Sequence, residues 1–389
     1  MTHPALRSIS VLLLVVATFL GGHRAWAVGG CGTEVKARPY FKADWRATDQ
    51  GLIMGLRANA YHYWKWVGHR ARQLFSKELL AEGWIVGDPH GLNFADVWIH
   101  GKKRFVLVDV DDVGRGPFLL DFGRLLLISR AGDKGFPQKE MYDAYRAGLK
   151  GVTYDKPKIL KEALSAKDKE FKRAAKESVG KVSEKDRFDF EGTDLIPISE
   201  APVELVQQLA LDAPYFQARL KDYTVLDQAL RVKTEGGSQG IPRYWYLVSK
   251  GKLELAYEFK QISDVALKGW SEQLDHAVRI WEALKVFWGV DAATDFFSVV
   301  RAAEGRTYWQ RPRFRSNLEI NMEPSNKKER EEFRQVSIYI ANHLGRRHGL
   351  QPQAERLRDQ IEKDPDGVFN LLMQLLNRYV EVADVLNPS

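Results

Sequence analysis

One short stretch of the chain crowds an acid, a histidine and an amide together. "GDPHGLNF", residues 87–94, carries Asp88, His90 and Asn93 between the apolar runs "GWIV" and "FADVWI". Asp88 and Asn93 are five positions apart, and Asp109 follows the run "FVLV". Phosphoryl transfer from ATP needs few parts. A carboxylate accepts or orients the hydroxyl proton of the acceptor, an Asp and an Asn hold Mg²⁺ on the phosphates, and amides and a Lys position them. On this reading Asp88 is the base, and His90 beside it assists acid–base chemistry or shapes the loop. Asn93 and Asp109 hold Mg²⁺. Asp111 would point the same way as Asp109 in an extended strand, so the metal set is Asn93, Asp109 and Asp111, with one carboxylate acting directly and another through water. The plain alternative is a loop in which Asp88 and Asn93 only bond to nearby backbone.

The phosphate-binding parts occur far downstream. "GGSQG" places Gly236, Gly237, Ser238 and Gly240 at the entry to an apolar strand, and Lys260 follows in "LELAYEFKQI". Glycines let backbone amides approach an anion closely. Arg57, on an upstream helix, could reach a phosphate or pair with a carboxylate of the site. Arg124 suits a local ion pair, and His348 in "GRRHG" could face the cleft. A glutamate partner for Lys260 would fall on the following helix, where Glu272 and Glu282 both stand.

These groups need elements to hold them. Residues 35–80 have helical spacing of apolar residues, and "GWIVGD" reads as a short strand ending in a loop. "ADVWIHGKKRFVLVDVDD" reads as a hairpin turning at His100-Gly101-Lys102-Lys103. A helix is expected to start near Asp121, a residue type suited to an N-cap. Residues 150–190 are dense in both charges and predict solvated helix in a linker or flap. "ALRVKTEGGSQGIPRYWYLVSKGKLELAYEFKQI" predicts three strands joined by a Gly-rich turn and an "SKGK" turn. Helical patterns then run over about 265–300 and from 328 to the end. The resulting organisation is 35–149 for the first helix, loop and metal-binding strand, 150–195 for the linker, 196–300 for the Gly-rich hairpin and Lys strand, and 301–389 for a helical end.

Residues 1–27 stand apart: a weakly positive start, the apolar run "ISVLLLVVATFL" and the small-residue site "AWA" predict a secretory signal peptide. The protein is then exported, periplasmic or secreted, with no membrane span in the mature chain. Loss of Arg7 and Arg24 lowers the formal charge from +7 to +5, which allows an anionic ligand without requiring nucleic acid. Cys31 is the single cysteine, so an intramolecular disulfide and a cysteine metal site are both excluded.

The loop resembles that of the aminoglycoside and choline phosphotransferases, which reads H-G-D-x-H-x-x-N and is followed by a strand-terminal Asp and then a helix Asp. Here these are "VGDPHGLN", Asp109 and Asp121, with Val86 in place of the leading His. The chain also resembles the uncharacterised bacterial proteins grouped as domain of unknown function 2252. The matches are Arg57, "GDPHGLNF", "DVDD", "GPFLLDFGRLLLIS", "GGSQG", "FKQ" and "ANHLGRRHG", closest over 84–130, with Ala58 and Gln261 where that family has Gly and an acid. The resemblance implies an α+β, kinase-like, two-lobed fold in circular permutation, the catalytic-loop segment preceding the Gly-rich hairpin and the C-terminal part largely helical. The likeness of the loop to the phosphotransferases implies an ATP- and Mg²⁺-dependent phosphotransferase with an unknown small-molecule or protein acceptor. The alternative is an exported, catalytically degenerate protein that binds an anionic or phosphorylated ligand. A metal-dependent hydrolase is weaker, because one His among carboxylates suits Mg²⁺ better than Zn²⁺.

Overall fold

The structure, a computed structural model, describes residues 53, 55–57, 59–99, 102–165, 175–184, 186–191, 193–232, 241–289, 297–313, 318 and 320–385. The expected signal peptide and the "GGSQG" turn (Gly236, Gly237, Ser238 and Gly240) lie outside the described residues. All described residues belong to one unit, Arg38–Ser389.

The first half builds a frame around the 87–94 loop. Helix α1 (Ala60–Leu74) buries Tyr63, Trp64, Val67 and Ala71, the three-and-four spacing of an amphipathic helix. Strand β1 (Glu82–Ile85) leads into the loop and pairs antiparallel with β4 (Gly114–Pro117). Between them β2 (Phe94–Ile99) and β3 (Lys102–Leu107) form the expected hairpin, with Lys102 and Lys103 inside β3 rather than in its turn. Helix α2 (Phe118–Gly132) starts three residues before Asp121, directly after Pro117. Proline cannot donate to a preceding ladder, so the chain turns there, and Asp121 falls inside the first turn of α2 instead of at its N-cap. Asp121 is therefore free to bond to another segment.

Among the described residues, α3 (Gln138–Leu149) precedes the charged segment, α4 (Lys158–Leu164), helical residues 175–179 and the small strands β5 (Ser183–Glu184) and β6 (Arg187–Phe188) lie within it, and β7 (Ile196–Pro197) follows it. Helix α5 (Val203–Arg219) then covers a sheet. The three expected strands are present as β8 (Thr224–Val232), β9 (Pro242–Lys250) and β10 (Leu253–Gln261). They are the middle of a six-stranded antiparallel sheet of order β11-β12-β10-β9-β8-β7.

The edge strand β11 (Ser298–Arg301) and its neighbour β12 (Thr307–Pro312) fall partly where helix was expected. Helix α6 (His276–Trp288) ends early because Gly289 takes a left-handed φ of 68°, which closes a helix at little cost. The β-branched "SVV" then pairs with β12.

Alternation along β10 separates two sheet faces. Leu255, Tyr257 and Phe259 point to a buried aromatic layer that packs on α5, where Phe216 stacks on Phe259 at a ring separation of 4.3 Å. Each such buried side chain contributes about 1.5–3 kcal/mol. Glu258 and Lys260 occupy the opposite face, and both are buried. A buried charge is costly unless paired, so that face needs partners from elsewhere.

The C-terminal part is helical as expected: α7 (Lys327–Gly349), α8 (Ala354–Lys363) and α9 (Pro365–Val385). Helix α7 lies very close to α3, since a Cβ on Gly345 would stand 2.2 Å from the Tyr145 carbonyl oxygen. No described helix is long and apolar enough to cross a membrane.

Candidate active site

The loop after β1 is fixed by what lies behind it. Gly87 has φ +80°, and a Cβ there would stand 1.9 Å from the backbone oxygen of Asp112. Only glycine allows this approach, which brings "GDPH" against "DVDD". The amides of Val86 and Gly87 donate to the two carboxylate oxygens of Asp121 at 3.1 and 2.8 Å. The Trp64 indole donates to the Gly87 carbonyl at 2.6 Å. His348 Nε2 lies 3.2 Å from Asp121 Oδ2, and its Nδ1 is 3.0 Å from the Tyr145 hydroxyl. His348 thus stands fully buried behind the loop and does not face a cleft.

Asp88 pairs with a side chain 36 residues away on α2. Arg124, expected to bond locally, places Nε 2.7 Å and Nη2 2.6 Å from Asp88 Oδ1. Arg124 also donates to the Leu56 carbonyl and is fully buried. Asp88 Oδ2 is 3.7 Å from His90 Nε2, too far for a hydrogen bond. His90 Nε2 instead accepts from Arg57 Nε at 3.2 Å, which is where the structure places Arg57. Burial, with Arg57 and Arg124 nearby, pushes His90 well below its ordinary value, so the ring is neutral. Its buried Nδ1 has no hydrogen-bond partner. Asn93 Nδ2 donates to the Asp88 carbonyl at 2.7 Å, and the Asn93 carbonyl accepts from Val108, which ties the loop to the end of β3.

Lys260 crosses from the sheet to this loop region. Its Nζ lies 3.2 Å from Asp109 Oδ1 and is also in direct contact with Asp111 Oδ2. Burial alone would raise the Asp109 carboxyl, but Lys260 and then Arg311 outweigh it and hold Asp109 below the usual carboxylate range. Burial and the neighbouring Asp109 charge push Asp111 up to about 6 despite Lys260. Asp111 Oδ1 is buried without a hydrogen-bond partner. Asp112 is used differently: its Oδ1 accepts from the Ala266 amide at 2.7 Å.

Around Lys260 the sheet face is cationic. Arg243 stands opposite Lys260 in the ladder, and Arg311 stands opposite Glu258. Glu258 accepts from Arg311 at 2.8 Å, with Arg243 and Arg313 at 3.7 and 4.0 Å. These arginines hold the buried Glu258 at about 2, against burial that would raise it. The glutamates considered as partners of Lys260 do not reach it. Glu282 pairs with Lys285 on the surface, and Glu272 is exposed. The strand-adjacent Glu258 went unforeseen, although an acid two residues before Lys260 on one strand face was the available signal.

A hard cation takes oxygen ligands. Asp109, the orphaned Asp111 Oδ1 and Asn93, whose backbone carbonyl accepts from Val108, offer that chemistry, so the donor types fit Mg²⁺. Among the described residues, however, no three His, Cys, Asp or Glu side chains are arranged to hold an ion. Any ion here would draw its remaining ligands from phosphate oxygens and water.

Fold and site define a mixed α+β protein in which a strand lysine closes on two loop carboxylates. The chain belongs to the family described as uncharacterised proteins conserved in bacteria (DUF2252), which it matches over residues 138–384. Lys260, Glu258 and His348 lie inside that match, whereas Asp88, Asn93 and Asp109 precede it. No curated protein and no solved structure matches the chain.

Proposed function

We propose that this protein is an ATP- and Mg²⁺-dependent phosphotransferase of kinase-like type, with its parts in permuted chain order. The observation that carries this reading is the meeting of Lys260 with Asp109 and Asp111. A phosphate-positioning lysine and a metal-binding carboxylate must stand within the length of a triphosphate, and a contact of 3.2 Å satisfies that condition. The order of elements supports it too: two strands joined through 233–240, a Lys strand, a helix, then a further hairpin. Arg243, Arg311 and Arg313 beside Lys260 would take up phosphate charge. Asp88, fixed by Arg124, would orient the hydroxyl of the acceptor with its Oδ2. Asn93, Asp109 and Asp111 would hold Mg²⁺, which would neutralise charge on the transferred phosphoryl group.

Thermal shift with ATP and Mg²⁺ tests the reading. The expected result is Mg²⁺-dependent stabilisation by ATP that disappears in Asp109→Asn, with ATP turnover lost in Asp88→Asn. A melting curve unmoved by ATP and Mg²⁺ would sink it.

A second reading rests on a specific observation: the acids of the site are already occupied, Asp88 by Arg124 and Asp109 and Asp111 by Lys260. On that reading the protein is exported and binds an anionic or phosphorylated ligand without turnover. Binding of such a ligand in the absence of Mg²⁺, with no ATP consumed, would favour it.

A further inference from the structure

A cavity of about 530 Å³ opens on the hairpin side of β3, and six cations line it: Lys103, Arg104, Lys156, Lys161, Arg346 and Arg347. They come from four places in the fold, namely β3, the approach to α4, α4 itself and the end of α7. Among the described residues no Asp or Glu lines it, and none of Asp88, His90, Asn93, Asp109, Asp111 or Lys260 does either. This cavity is therefore separate from the site described above.

The nearby acid is already used. Asp96 takes Lys103 at 2.6 Å through one oxygen and the Leu318 amide at 2.9 Å through the other. Arg347 donates to the Val286 carbonyl, which satisfies a hydrogen bond but leaves its charge unbalanced. Burial and then Arg346 and Arg104 push the Arg347 guanidinium down, the sign of like charges held together. Cations in the last turn of a helix are ordinary, because they meet the negative end of the helix dipole. That accounts for Arg346 and Arg347 but not for Arg104 and Lys161, which other elements bring to the same space. His343 in the wall adds no charge: burial and the same two arginines, Arg347 and Arg346, push it down to about 3.

A concave, cation-lined space focuses negative ligands, and Arg side chains match phosphate oxygens in particular. Its volume suits a small molecule. We infer that this cavity is a binding site for a compact polyanion carrying two or more phosphate groups, held by Arg104, Lys161, Arg346 and Arg347. The ligand balances the charge of these four cations, for which no acid stands in an ion pair among the described residues.

Isothermal titration of the full chain with inorganic pyrophosphate in EDTA tests this, since chelation removes any Mg²⁺-dependent binding near Asp109. The expected result is saturable binding that weakens at least tenfold in Arg104→Gln/Arg346→Gln and severalfold in the exposed pair Lys156→Gln/Lys161→Gln. Arg378→Gln, an exposed cation on α9 paired with Glu381, should leave it within twofold. Parallel titrations with ATP and with inorganic triphosphate separate the sources: equal affinity assigns the phosphate chain alone, and tighter ATP binding assigns a nucleotide, both within the inference. No binding of pyrophosphate at millimolar concentration overturns it. So does binding that survives both double variants, because the anion then sits elsewhere, or that falls equally in Arg378→Gln, because the anion then follows net charge and not the cavity. Failure here leaves the Asp109–Lys260 reading untouched, as the two sets of variants share no residue.

Discussion

Lys260 Nζ and Asp109 Oδ1 lie 3.2 Å apart across a sequence separation of 151 residues. Lys260 is buried, and Asp111 shares it. The contact joins the antiparallel sheet to the end of β3, and its balance is delicate because one cation serves two acids. Replacing Lys260 by Met should leave two neighbouring carboxylates without their counter-charge. Breaking one partner of a buried pair costs about 3–5 kcal/mol. Urea unfolding of Lys260→Met should show a loss near the lower end of that range, since Asp109 is partly exposed. The triple change Lys260→Met/Asp109→Asn/Asp111→Asn should recover much of it. A loss equally large in the triple variant would mean that packing, not charge, dominates at Lys260.

Asp121 caps a loop rather than its own helix. Its two oxygens serve the amides of Val86 and Gly87. In Asp121→Ala each buried donor would lack a partner, at about 1–3 kcal/mol apiece. Hydrogen exchange at Val86 and Gly87 should accelerate more than exchange in the β10 ladder. Unchanged protection at both amides would contradict the cap.

Gly87 tolerates no side chain for two separate reasons, its φ of +80° and its closeness to the Asp112 backbone. Strain of the first kind alone costs about 1–3 kcal/mol. Gly87→Ala should therefore lower the denaturation midpoint, and by more than Gly151→Ala. Gly151 also has positive φ but nothing within 4 Å of its Cβ position. Equal losses in the two variants would remove the overlap with Asp112 from the account.

Glu258 makes a pH-dependent contribution of defined sign. Its folded value of about 2 lies below the ordinary 4.5, so its ionised form stabilises the fold. That stability is fully present above pH 4.5 and is lost as pH falls through about 2. Glu258→Gln should be destabilised by about 3–5 kcal/mol at neutral pH, because Arg243, Arg311 and Arg313 lose their shared anion. The gap between variant and wild type should narrow below pH 4.5 in acid denaturation curves. A gap constant down to pH 2 would show that the charge of Glu258 is not what the variant loses.

Much of the fold was legible in the order of residues. The three strands around "SKGK", the hairpin after the loop and the C-terminal helices follow from periodicity, which is a local property. The strand β11 was not legible, because Gly289 stops α6 within a stretch whose apolar pattern suits a helix as well. At the site, the residue types and the spacing of Asp88, Asn93, Asp109 and Lys260 stand in the sequence. Their partners do not. Arg124 reached Asp88 instead of a neighbour on its helix, His348 came to rest behind Asp121, and Glu258 collected arginines from two flanking strands.

The sequence by itself determined which groups could ionise and which segments could be helix or strand. Tertiary structure alone decided which charges meet. Burial makes an unpaired charge expensive, so partners are chosen by which elements pack together, and that choice is made across 151 residues for Lys260 and Asp109.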